Sequence, residues 1–152
     1  MKIPVLFLSL VMFIPVCWAQ NPNPQYDKAL ADSLGADEYG MKSYILVILK
    51  TGSNHTTDEK VLNRLFRGHM DNITRLASMN KLIVAGPLVK NDRNYRGIFI
   101  LNVKSRDEAK ALLDTDPTIK EKIFEPELYE WYGSAALPAY MKVHHKIEKQ
   151  QH

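Results

Sequence analysis

His69 is the residue whose type and position most directly suggest chemistry. It lies in the stretch RLFRGHMDNITRLA (64–77), where Leu65, Ile73 and Leu76 recur at the spacing of one helix face. His69 falls on that apolar stripe, where a leucine would be expected. A neutral imidazole in an apolar pocket can take a proton from one substrate atom and return it to another. A core histidine that is hydrogen-bonded to the backbone or to a nearby acid explains the same pattern, and the periodicity alone does not separate the two interpretations.

Asp116 is a second polar residue at a position with local meaning, since it directly precedes Pro117. Proline suits the first position of a helix, and aspartate is among the preferred N-cap residues. The pair therefore predicts the start of a short helical turn. On this pattern alone, the Asp116 carboxylate caps backbone amides and needs no chemical role.

The elements that must position these residues follow from hydrophobic periodicity. Strands are predicted for YILVILK (44–50), KLIVAGPLV (81–89), GIFILNV (97–103) and IFEPELYEWYG (123–133). Helices are predicted from an N-cap at 57–58 to about residue 80, and over 105–116. The order β-α-β-β-α-β indicates an α+β protein with a ferredoxin-like, four-stranded antiparallel sheet and both helices on one face.

Gly86 and Pro87 interrupt the second predicted strand, and we expect them to shape the rim of any pocket. Glycine permits a close backbone approach or a positive φ, and proline stiffens a bend. An ordinary strand-end turn would have the same composition. Arg93, Tyr95 and Arg96 follow in the next hairpin, where contact with an anionic substrate and a solvated hairpin tip are both consistent with the sequence.

The strands 44–50 and 97–103 do not alternate apolar and polar residues as half-exposed strands do. Both faces of the sheet therefore require burial, but the two helices cover only one. A second subunit packed sheet against sheet is the simplest cover, which predicts a homodimer. Alternatively, the C-terminal tail covers the open face within one subunit.

The segments outside the predicted domain (43–133) divide into three parts. Residues 1–19 have a Lys2 n-region and a short apolar core, which predict a signal peptide cleaved after Ala19 and a periplasmic or secreted protein. Acylation at Cys17 is the less favoured alternative. Residues 20–42 read as a linker with a short helix near DKALADSL (27–34), and residues 134–152 as a helical tail.

Composition excludes several classes of function. The chain has 20 basic and 17 acidic residues, and no basic run long enough for a nucleic-acid surface. Cleavage after Ala19 would remove the single cysteine, which excludes disulfides and cysteine ligands. His144 and His145 are neighbours in the tail and do not share a helix face, so we expect surface histidines there and neither a metal site nor a cofactor.

Four motifs in order carry a resemblance to a known family. In chain order they are SYILVIL (43–49), the helical HMDNITRLASMNKLIVAGPL (69–88), RGIFILNVKSRDEAKALLDTDP (96–117) and ELYEWYG (127–133). Over about residues 43–133 the chain resembles the YCII-related (YciI-like) domain family, which is related to the dimeric α+β barrels.

The resemblance implies a small-molecule pocket in which the helix histidine and the aspartate of the DP turn form an active-site pair, here His69 and Asp116. At least one member of that family is a lyase-type enzyme that removes chloride from a chlorinated hydroxyquinol, so the resemblance also implies possible lyase-type chemistry. The sequence thus leads to an exported homodimer with lyase- or hydrolase-like acid/base chemistry. A non-catalytic binding module and a structural dimerisation module are the alternatives.

Overall fold

A computed structural model of the protein describes residues 23–149. The predicted signal peptide lies outside the described residues. The helices are α1 (Lys28–Leu34), α2 (Glu59–Ser78), α3 (Arg106–Leu113), α4 (Pro117–Lys120) and α5 (Met141–Ile147), with a 3₁₀ helix at Leu137–Tyr140. The strands are β1 (Met41–Thr51), β2 (Leu82–Pro87), β3 (Tyr95–Leu101) and β4 (Phe124–Ser134).

The four strands form one antiparallel sheet in the order β2-β3-β1-β4. The predicted α+β class and ferredoxin-like element order are confirmed. Strand β1 begins at Met41, three residues before the predicted start at Tyr44. The reason is pairing, because Met41 lies opposite Ser134 and continues the ladder with β4 despite the polar residues between.

Side-chain caps fix where the helices begin. The carboxylate of Asp58 accepts from the amides of Lys60 and Val61 at the start of α2. Ser105 caps α3 and Asp116 caps α4 in the same way, each from the residue just before the helix. These caps satisfy amides that have no partner within the helix. By capping α4, the Asp116 carboxylate is also held in one direction, and it is in contact with α2.

The core lies between the helices and one face of the sheet. Its buried residues are Ile45, Val47, Leu49, Leu76, Leu82, Phe99, Leu101, Val103, Ala109 and Leu113. The strand residues that alternate with them point to the opposite face, where Leu46 is paired with Ile100, and Ile48 with Ile98. All four are only half-buried. The sheet is therefore apolar on both faces.

The chain after β4 crosses to the other edge of the sheet. Ala135 is buried, and its amide donates to the carbonyl of Gly40. The hydroxyl of Tyr140 then donates to the carbonyl of Ile83 in β2. Because β4 and β2 are opposite edge strands, the tail spans the width of the sheet. Within residues 23–149, no helix has the length and apolarity that a membrane crossing requires.

Candidate functional site

His69 and Asp116 meet at the contact between α2 and the turn before α4. The His69 Nδ1 atom lies 2.6 Å from Asp116 Oδ2. The imidazole side chain is 11% exposed and the carboxylate is fully buried. A buried carboxylate bonded to one ring nitrogen fixes the tautomer, with the proton on Nδ1. Nε2 is then the nitrogen that can accept a proton from a bound molecule.

Thr118 holds the Asp116 carboxylate in place. Asp116 Oδ1 accepts from the Thr118 hydroxyl at 2.6 Å and from the Thr118 amide at 2.9 Å. Burial raises the pKa of Asp116, but the hydrogen bonds from His69 and Thr118 and the attraction of the imidazole lower it by more. The net result is a pKa below the usual value, so Asp116 is ionised at neutral pH.

Three aromatic rings surround the imidazole. Phe99 stacks on His69 with ring centroids 5.9 Å apart, and Phe66 and Phe124 approach it edge-on at 6.5 and 5.5 Å. Phe99 comes from the core face of β3, and Phe66 lies one turn before His69 on α2. Such rings displace water from the imidazole, and electrostatic interactions are stronger where water is excluded.

His69 lies on the wall of a cavity of about 800 Å³. The cavity is bounded by α2, by strands β2 and β3, and by the tail. Its apolar lining residues include Leu49, Phe66, Met70, Ile73, Leu82, Phe99 and Phe124. A largely apolar concave site with a few polar groups is typical of small-molecule binding.

The sequence pattern did not reveal two contacts that bring His69 and Asp116 together. Gly68 lies against Pro117, where a Cβ atom added to the glycine would be 2.7 Å from the proline Cγ. The second contact is the buried Asn72, whose Oδ1 lies 2.9 Å from the Thr115 hydroxyl. Residues close in sequence to His69 and Asp116 thus hold α2 and the turn before α4 together.

Arg75 completes the second contact. Its Nη2 donates to Asn72 Oδ1 and to the Thr115 hydroxyl, both at 2.7 Å. The sequence offered two signals for these contacts. They were a glycine beside the histidine, and an asparagine three residues after it on the buried face. Neither identifies its partner, because the partners lie more than 40 positions away.

Gly86 and Pro87 both line the cavity. The reason expected for Gly86 is not found, since its φ is not positive and a Cβ there would meet nothing within 4 Å. The close approach occurs at Gly97, whose added Cβ would be 3.0 Å from the Gly86 carbonyl oxygen. Pro87 is opposite Gly97 at the end of the edge strand β2, where a missing amide costs little.

The hairpin arginines separate into two environments. Arg96 is exposed, donates from Nε to the Thr51 hydroxyl at 2.6 Å, and lies at the rim of the His69 cavity. It also lies at the rim of a second groove of about 530 Å³, which contains His55 and shares Phe66 with the first. Arg93 belongs to neither rim.

The tail histidines are surface residues, as expected, and they also have a second location. His144 and His145 are exposed, but both line the cavity that contains His69. Across residues 23–149, no group of three or more histidine, cysteine, aspartate or glutamate side chains is arranged to hold a metal ion.

Comparisons with known proteins identify the family of the chain. No curated protein matches the chain. Among solved structures, the chain is similar to 5-chloro-2-hydroxyhydroquinone dehydrochlorinase (TftG) from Burkholderia phenoliruptrix AC1100, solved in complex with 2,5-dihydroxybenzoquinone. The identity is 20% over 57% of this chain and 92% of that chain, with a TM-score of 0.42. A model of the YCII-related domain matches residues 44–132, which is more than half of the sequence. The chain belongs to the YCII-related domain family.

Proposed function

We propose that the protein is an acid/base enzyme acting on a small, largely apolar molecule, with His69 as the group that moves the proton and no cofactor taking part. The observation that carries the proposal is the 2.6 Å contact between His69 and the buried Asp116 on the wall of an 800 Å³ cavity. Structural histidines also bond to acids, but here the imidazole adjoins a space that a ligand can fill.

The roles of the side chains follow from their contacts. His69 Nε2 accepts a proton from the ligand, and Asp116 stabilises the imidazolium that forms. Thr118 and its amide fix the direction of the carboxylate, so little reorganisation accompanies proton transfer. The rings of Phe66, Phe99 and Phe124 limit access of water to the imidazole.

A lyase-type reaction fits these roles. Nε2 takes a proton from an acidic C–H or O–H group. The electron pair left behind forms a double bond and expels a leaving group, with its electrons, from the neighbouring carbon. The imidazolium then returns its proton to product or solvent. The base therefore ends the cycle in its starting state.

The test is a screen of the purified protein with small molecules that carry such a proton, each with and without an adjacent leaving group. For any compound that turns over, His69→Gln should lower kcat/KM by about 10²- to 10⁴-fold, the usual contribution of a positioned acid/base group. His55→Gln is the matched control, because His55 is exposed and outside this cavity.

Two results would contradict the proposal. Equal kcat/KM in His69→Gln and the parent protein would remove His69 from the chemistry. Binding of panel compounds without turnover of any would instead identify a binding protein with the same cavity.

We also propose that two copies pair through the open face of the sheet. Leu46, Ile48, Ile98 and Ile100 are half-buried there, and Tyr129 on β4 is 46% exposed beside them. Sedimentation of the parent protein and of Ile48→Glu tests the pairing. A parent dimer that becomes a monomer in the variant supports it, and a parent monomer contradicts it.

Export through the signal peptide is likewise our proposal, supported by the n-region and apolar core of residues 1–19. Intact-mass analysis of the protein from its native host tests it. A mature chain that begins at Gln20 is the expected result, and a chain that retains Lys2 would contradict the proposal.

A further inference from the structure

The tail lies outside the residues that match the family, 44–132, yet it forms part of the His69 cavity. Five tail residues line the cavity together with His69: Tyr140, Met141, His144, His145 and Glu148. The opposite lining comes from α2, β2 and β3. The cavity therefore lies between the family domain and a segment added to it.

A specific contact attaches the tail to the domain. The Tyr140 hydroxyl donates to the backbone carbonyl of Ile83, a buried residue of β2. The register of β2 against β3 shifts between Leu82 and Val84, so Ile83 is not opposite a β3 residue. An edge-strand carbonyl at a register shift requires a partner from elsewhere, and Tyr140 supplies one.

The polar residues of the tail are joined to one another. His145 Nδ1 lies 2.9 Å from Glu148 Oε1, and His144 Nε2 lies 3.8 Å from the other carboxylate oxygen. The ring of Tyr140 contacts His144 edge-on at 6.2 Å. These contacts join α5 to Tyr140, and Tyr140 is bonded to Ile83.

We propose that residues 137–148 form the outer wall of the ligand site and limit which molecules reach His69. Tyr140 attaches the wall, and Met141 contributes an apolar lining next to it. The inference rests on the proposed function only in taking the cavity as the place where a ligand binds. Turnover plays no part in its test, so the two proposals can fail separately.

The probe is diethyl pyrocarbonate, a small reagent that modifies unprotonated histidine nitrogens and is followed residue by residue through peptide mass mapping. The full-length double variant Tyr140→Ala/Met141→Ala removes the attachment and the adjacent lining. The matched control is Val143→Ala/Ile147→Ala, which changes two residues of the same segment that are 58% and 73% exposed and do not line the cavity. His55 is exposed and serves as an internal reference in every sample.

The expected result is a severalfold faster modification of His69 in Tyr140→Ala/Met141→Ala, with the His55 rate unchanged. The control pair should leave both rates at parent values. Tyr140→Phe, which retains the ring and loses only the hydroxyl, should give an intermediate rate of His69 modification. Because the ring is kept, a change in that rate cannot be attributed to lost packing volume.

Two outcomes would overturn the proposal. An unchanged His69 rate in Tyr140→Ala/Met141→Ala would show that the tail does not cover the cavity. The same acceleration in the control pair would show that the contacts named here do not hold the wall. A general loss of structure is recognised separately, because it would lower the melting temperature.

Discussion

Gly68 and Pro117 are in such close contact that a methyl group on the glycine would lie 2.7 Å from the proline Cγ. Gly68 directly precedes His69, and Pro117 directly follows Asp116. Glycine within a helix costs about 0.5–1 kcal/mol relative to alanine. In α2 this cost accompanies a close helix–turn approach, and that approach places the imidazole within hydrogen-bonding distance of the carboxylate.

Gly68→Ala should separate α2 from α4 and weaken the hydrogen bond between His69 and Asp116. Alanine adds about 1 kcal/mol of helix propensity, while overpacking costs about 1–3 kcal/mol. The net change in the free energy of unfolding therefore lies between zero and about 2 kcal/mol of destabilisation. The sensitive measurement is the proton NMR signal of His69 Nδ1–H, which should move upfield and broaden.

Gly86→Ala is the control for this substitution, since an added Cβ there meets nothing within 4 Å. It should leave the Nδ1–H signal in place. A parent-like signal in Gly68→Ala would mean that the proline ring yields and that the glycine is not needed for the pair.

Asn72 and Thr115 hold the same two elements together one helical turn further along α2. The Thr115 hydroxyl lies 2.9 Å from Asn72 Oδ1, and Asn72 is buried. Asn72→Ala and Thr115→Ala should each destabilise the fold by about 0.5–1.5 kcal/mol, the usual net contribution of one hydrogen bond, because Arg75 remains as a partner of the side chain that is left. A double-mutant cycle by urea denaturation should show a coupling energy of at least about 0.5 kcal/mol.

Thr74 provides the comparison for that cycle. It is exposed and lies on α2, and its hydroxyl donates to the carbonyl of Met70. Thr74→Ala should combine additively with Thr115→Ala. Additivity of Asn72→Ala with Thr115→Ala would show instead that the two side chains do not stabilise the turn jointly.

Asp116 makes stability depend on pH in the acidic range. Burial raises its pKa, and the bonds from His69 and Thr118 lower it further than burial raises it. The folded pKa is therefore below that of the unfolded chain, about 3.9. As the pH falls, the unfolded state binds the proton first, so the contribution of the carboxylate is complete above that value and is lost through the folded pKa.

Asp116→Asn removes this contribution and retains the size of the side chain. The free energy of unfolding should differ most from that of the parent at neutral pH, and the difference should shrink as the pH falls below about 4. Urea denaturation at a series of pH values measures it, and titration of other carboxylates cancels in the difference. A difference independent of pH would show that the folded and unfolded pKa values of Asp116 are the same.

Local sequence signals were sufficient for the fold. The apolar run at 44–50 predicted β1, the N-cap signal at 57–58 predicted where α2 begins, and the predicted helix over 105–116 contains α3. The histidine on the apolar face of α2 is buried as its position required. These predictions succeed because neighbouring residues determine helix and strand periodicity.

Those local signals could not predict the contacts that assemble the site. The bond between His69 and Asp116 joins residues 47 positions apart, and periodicity carries no information about partners at that distance. Only the resemblance to a family paired them. The position of His144 and His145 on the cavity wall depends on where the tail crosses the sheet, and the bond from Tyr140 to Ile83 lies at that crossing.

Tyr132 and Asp37 form a link between β4 and the segment before β1. The Tyr132 hydroxyl donates to Asp37 Oδ2, and this bond raises the pKa of Tyr132 to about 12. The unfolded phenol titrates near 10, so the link is complete below that pH and is lost as the pH rises through the folded value.

Ultraviolet titration of the parent minus Tyr132→Phe isolates this one phenol, and its midpoint should lie at about 12. In Asp37→Asn the midpoint should fall toward about 10, because the amide no longer disfavours the phenolate as a carboxylate does. Asp32→Asn is the control, since the Asp32 carboxylate is paired with Lys28 instead. A midpoint that stays unchanged in Asp37→Asn would show that Asp37 does not hold the phenol in its neutral form.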